Sequence, residues 1–126
     1  MVTINMWSSV FKAKVSYDPE FNFLSVRREG IKTSYSLNFG SVTIDFFKNT
    51  PVGIEFAEAQ EVLEKLLRAS KLGRESLAKV TNGSFAFRTS KSDITIVFGL
   101  MLANEQKLQA TYVLPLVNKD EVKITA

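Results

Sequence analysis

Ile31-Lys32-Thr33-Ser34-Tyr35-Ser36-Leu37-Asn38-Phe39 alternates apolar and polar residues along its length. A period of two is that of a strand with one buried face. Ile31, Thr33, Tyr35, Leu37 and Phe39 share one side, and Lys32, Ser34, Ser36 and Asn38 the other. The same period runs outward in both directions. Phe11, Ala13, Val15 and Tyr17 alternate with Lys12, Lys14 and Ser16. Leu24 and Val26 mark a short strand that ends at Arg28-Glu29-Gly30. Val42, Ile44 and Phe46 lie before the turn residues Lys48-Asn49-Thr50-Pro51, and Val52, Ile54 and Phe56 after them. Asp18-Pro19-Glu20 breaks the first strand, because proline has no amide donor and a fixed φ. Residues 10–56 read as an antiparallel meander with one buried face.

The period then changes. Ala59, Val62, Leu63, Leu66 and Leu67 form one stripe of an amphipathic helix. Glu58, Glu61, Glu64, Lys65, Arg68 and Lys71 lie on its other side. Glu61 with Lys65, and Glu64 with Arg68, are i,i+4 pairs in the favourable orientation. Gly73 is the expected stop, with a shorter helix over 74–80.

Strand signals return in the last third. Phe85 and Phe87 alternate with Ala86 and Arg88. Ile94, Ile96, Phe98, Leu100 and Leu102 share one face of a longer strand whose other face carries Val97 and Met101. Residues 108–114 are similar, with 103–107 as a hairpin loop. The expected fold class is α+β, an antiparallel β-meander followed by one amphipathic helix and then a further β-hairpin region. The chain reads as a single domain over 1–126. Strands apolar on both faces need cover, from a partner chain or from a second sheet in the same chain. The first alternative makes a homodimer the expected self-partner.

Composition limits the chemistry. The 126 residues include no histidine and no cysteine. A Ser-His-Asp or Cys-His site within one chain, a thiolate nucleophile, a His- or Cys-ligated zinc and a disulfide are all excluded. The net charge of +3 divides as +1 over each of residues 1–56, 57–82 and 83–126, so no basic cluster marks a nucleic-acid footprint. The six glycines, at 30, 40, 53, 73, 83 and 99, form no phosphate-cradling motif. No basic residue precedes Lys12, and the longest apolar run, Ile96 to Ala103, is too short to span a bilayer. A soluble cytoplasmic protein with no cofactor, no metal and no membrane partner is the expectation.

Two groups of side chains remain as candidate sites. If 42–47 and 52–56 form a hairpin, Asp45 and Glu55 share its polar face, directly opposite or diagonal according to register. A carboxylate metal site or acid/base pair, joined by Asp18 and Glu20, is the functional reading. The simpler reading is a solvated sheet face with Arg27, Lys32 or Lys48 nearby. Arg27, Arg28 and Lys32, with Lys12 and Lys14, are the candidate nucleic-acid contacts. Asn82-Gly83-Ser84-Phe85-Ala86-Phe87-Arg88 departs from the aromatic strand of RNA-recognition domains. Ser84 is an insertion and Arg88 replaces an apolar residue, so both rings are expected in the core.

Tyr17-Asp18-Pro19-Glu20, Gly40-Ser41-Val42-Thr43-Ile44-Asp45 and Pro51-Val52-Gly53-Ile54-Glu55-Phe56, followed by Ala59, resemble a known pattern. It is that of the prokaryotic domain-of-unknown-function family number twenty-two eighty-three. The resemblance covers 14–67 and leaves 73–126 as an unmatched β-rich extension. It implies a β-meander followed by a helix, and no catalytic residues. The siting of some members beside toxin-like genes implies an antitoxin-like or partner-binding role. Tyr17, Asp18, Asp45, Gly53 and Glu55 would be its structural signature. The leading expectation for function is a non-enzymatic protein-binding or assembly module acting through the C-terminal strands. A nucleic-acid-associated protein is the alternative, and a carboxylate metal-dependent hydrolase the least favoured.

Overall fold

The computed structural model describes residues 7–67, 73–102 and 105–115. Eight strands and two short helices follow in order. They are β1 (Phe11–Asp18), β2 (Phe23–Arg28), β3 (Tyr35–Phe39), β4 (Val42–Phe47), β5 (Thr50–Phe56), α1 (Ala59–Leu67), α2 (Arg74–Ala78), β6 (Asn82–Thr89), β7 (Asp93–Met101) and β8 (Lys107–Pro115). All eight strands join one antiparallel sheet in the order β3-β4-β5-β2-β1-β6-β7-β8.

This overturns the α+β expectation. The sheet covers its own apolar face by curling. Phe56 on β5 and Phe98 on β7 are four strand spacings apart, about 19 Å on a flat sheet at about 4.8 Å each. Their ring centroids are 5.3 Å apart. The concave face carries Ala13, Val15, Leu24, Val26, Ile44, Ile54, Phe56, Phe85, Ile96, Phe98 and Leu100, all buried. The stripe residues Ala59 and Leu63 of α1 are buried against that face, while Val62, Leu66 and Leu67 pack on its margin beside β8. The helix fills part of the curl and does not form a layer. Arg68 and Lys71 lie outside the described residues.

Residues 10–56 are not a simple meander. β2 pairs with β5, and β3 lies at the far edge beyond β4. The chain must therefore cross about 14 Å, three strand spacings, between β2 and β3. Residues 29–34 make that crossing, a Greek-key connection. Ile31 and Thr33 have strand spacing in sequence but serve in the connection, so the strand begins at Tyr35. The Arg27 guanidinium donates to the Thr33 hydroxyl, and the Ser34 amide donates to the Phe46 carbonyl at 2.7 Å, fixing the two ends of the crossing. The C-terminal strands extend the first sheet through β6 on β1 and need no second sheet. At the β6–β7 pairing a Cβ on Gly83 would stand 2.0 Å from the Gly99 carbonyl oxygen, so only glycine fits there.

Asn22 positions α1. It lies in the β1–β2 turn at φ +54 and is buried. Its Oδ1 accepts from the Tyr17 hydroxyl at 2.8 Å and from the Gln60 amide at 3.0 Å. Its Nδ2 donates to Glu61 Oε1 at 2.6 Å, and its carbonyl accepts from the Ala59 amide at 2.9 Å. A residue distant in sequence thus caps the first turn of the helix. Asp18 Oδ1 accepts from the amides of Glu20 and Phe21 and shapes the same turn.

Candidate functional site

On the convex face, register places Ser36, Asp45, Gly53, Arg27 and Lys14 in one row across β3, β4, β5, β2 and β1. The next row runs Asn38, Thr43, Glu55, Ser25 and Ser16. Asp45 and Glu55 are therefore diagonal neighbours, the second of the two expected registers. The setting is not a solvated surface, because Asp45 is only 1% exposed. Asp45 Oδ1 accepts from the Ser36 hydroxyl at 2.5 Å. Asp45 Oδ2 is buried and has no amide, hydroxyl or guanidinium partner. When protonated, Glu55 can donate to Asp45. The hydrogen bond between the two carboxyls, then burial, then repulsion from Asp45, raise the Glu55 pKa to about 7, while Arg27 acts in the opposite direction. Gly53 leaves the space for this pair, since a Cβ there would lie 3.0 Å from Asp45 Oδ2 and 3.1 Å from Arg27 Cγ.

The other candidates disperse. Asp18 is committed to its turn, and Lys48 Nζ lies 5.5 Å from the Phe47 ring centroid. Arg28 lies on the face opposite Arg27. Its guanidinium sits 3.5 Å from the Phe11 ring centroid, its Nε has no partner, and burial lowers its pKa. Lys32 is exposed in the β2–β3 crossing. Lys14 and Arg27 do meet, around a depression of about 290 Å³ that Ser16, Ser25, Arg28 and Glu29 also line, although the Arg28 guanidinium itself lies on Phe11. Among the described residues no group of three His, Cys, Asp or Glu side chains could hold a metal ion. Phe85 is fully buried and Phe87 half-buried, as core rings rather than a stacking platform. Trp7 docks on the body under the Arg88 guanidinium, 5.0 Å from its ring centroid.

The least covered element is β3. It is an edge strand, and all five of its residues are exposed. Tyr35, Leu37 and Phe39 line its concave side at 41%, 44% and 38% exposure. The Tyr35 ring stacks on Phe46 at 5.0 Å, which holds it in place. Ser36 and Asn38 turn toward β4, onto Asp45 Oδ1 and Thr43 Oγ1, and among the described residues no strand pairs with the outer edge of β3. Edge strands are ordinarily protected by charge, proline or cover. No charged residue occurs from Thr33 to Ile44. The opposite edge, β8, opens with Lys107 and adjoins α1. The alternation in 31–39 marked β3 as a strand. The missing charge, also visible in the sequence, marks it as an unguarded edge.

Compared with family models, curated proteins and solved structures, the chain matches none. The five signature positions of the sequence resemblance fall at two places. Tyr17 and Asp18 belong to the turn that holds α1, and Asp45, Gly53 and Glu55 to the convex-face cluster beneath β3. No helix among the described residues is long and apolar enough to cross a membrane.

Proposed function

We propose that this chain is a protein-binding module that takes up an extended polypeptide strand at the free edge of β3. The observation that carries the reading is an uncharged edge strand, each of its five residues exposed, with Tyr35, Leu37 and Phe39 on one side. Strand addition draws affinity from main-chain hydrogen bonds and selectivity from alternate side chains. β3 offers both. The contact surface moves from the C-terminal strands to β3, because Ile96, Phe98 and Leu100 are consumed by the core. A partner-binding role is also what the family resemblance implies. Nucleic-acid binding has less support, since Arg27 and Arg28 face opposite ways and Glu29 and Glu55 stand among the basic groups.

Amide hydrogen exchange of the full chain, with and without an alternating Thr-Val peptide, tests the reading. Slowed exchange confined to β3 and its flanks is expected, and Leu37→Lys should abolish it. At a protein concentration where the chain is monomeric, unchanged exchange in β3 at saturating peptide, or protection located elsewhere, would overturn it.

A further inference from the structure

We infer that the strand taken up at β3 is β3 of a second copy, paired antiparallel about a two-fold axis through Leu37. The inference rests on the strand-addition reading and names its partner. The pattern Tyr35-Ser36-Leu37-Asn38-Phe39 is self-complementary when reversed. Leu37 then faces Leu37 of the copy, Ser36 faces Asn38, and each Tyr35 faces a Phe39. Directly opposed residues of an antiparallel pair lie on one sheet face, and aromatic pairs there are favourable. Both aromatic pairs form at once because the two-fold makes each contact occur twice.

Electrostatics agree. Two copies of a charged strand brought edge to edge put like charges near one another, so an uncharged strand pairs with itself at less cost. Thr33 to Ile44 contains no charged residue. Ser36 and Asn38 are hydrogen-bonded back to β4, so they would meet the copy already ordered. Tyr35, stacked on Phe46, is similarly fixed. The product is one continuous antiparallel sheet formed from two copies of the eight-stranded one.

The lack of cysteine permits a register-specific test. Opposed residues in an antiparallel pair have Cα atoms about 4.5–5.5 Å apart, within disulfide reach. Leu37→Cys should therefore cross-link to itself on mild oxidation of the folded full-length chain. Tyr35→Cys should not, because two copies of position 35 are about 14 Å apart in this register. An equimolar mixture of Tyr35→Cys and Phe39→Cys should form the mixed dimer. Light scattering should give twice the 14.1 kDa chain mass, falling to one chain with Leu37→Lys. These positions are exposed, and circular dichroism checks that each variant folds.

A monomer at every concentration, with β3 still protected by the Thr-Val peptide, would overturn self-pairing and leave strand addition standing. A monomer with no such protection would overturn both. A dimer in which Leu37→Cys fails to cross-link would place the interface elsewhere and also overturn the inference.

Discussion

Glu55→Gln should remove a pH dependence that the wild-type chain carries. Glu55 titrates near its ordinary range when unfolded, about 4.3, and at about 7 when folded. Between those values the folded chain binds more protons than the unfolded one. Stability therefore falls as pH rises through that window, present in full below the unfolded pKa and lost above the folded pKa. In a dry site the shift would amount to roughly 3–4 kcal/mol. Glu55 is half-buried, and solvent screening reduces this to about 1 kcal/mol. Glutamine has the shape of the protonated acid, and its amide donates to Asp45 Oδ2 at any pH. At about pH 5 the variant and wild type should have equal stability. At about pH 8 the variant should be more stable by about 1 kcal/mol, or about 4 °C in Tm. Thermal unfolding at fixed protein concentration, followed by circular dichroism across that range, measures both curves. Parallel curves would refute the shared proton.

Four further substitutions, at three positions, test the scaffold. Asn22→Ala removes the partner of Tyr17, Gln60 and Glu61 and places alanine at positive φ, and should cost about 2–4 kcal/mol in urea unfolding. Asn22→Gly keeps the backbone conformation and should cost less, so equal losses would refute the backbone contribution. Gly83→Ala drives a Cβ into the Gly99 carbonyl oxygen and should cost more than about 3 kcal/mol. Gly30→Ala, at φ +80 but in open space, should cost about 1 kcal/mol. Similar losses at both glycines would show that β6 and β7 separate easily.

The strands were legible because alternation is a local signal. Residues 11–17, 42–46, 52–56 and 94–101 are strands as their spacing indicates. Strand order was not legible, because it depends on which edges meet. Nothing in residues 29–34 announces that the chain crosses two strands before pairing again. The fold class failed for the same reason. The helical stripe at 59–67 is real, but a sheet that can bring Phe56 onto Phe98 does not need a helical layer. For the site, period two placed Asp45 and Glu55 on one face. The burial of Asp45 was hidden, because it depends on Gly53, Arg27 and Ser36 closing over it from three other strands. Arg27 and Arg28 show the limit of adjacency, since neighbouring residues of a strand face opposite ways.

The pairing of β6 with β1 has a consequence for synthesis. Phe11 is among the first described residues, yet it pairs with Phe85, far along the chain. Until β6 emerges from the ribosome, β1 has β2 on one side and a bare edge on the other. The growing chain then carries two sticky margins, β3 and β1, and the Phe56 ring lacks the Phe98 that later meets it. Completion waits for a contact of large sequence separation, the kind that slows folding and leaves intermediates open to mispairing. In the finished sheet β1 is enclosed between β2 and β6, and β3 remains an edge strand.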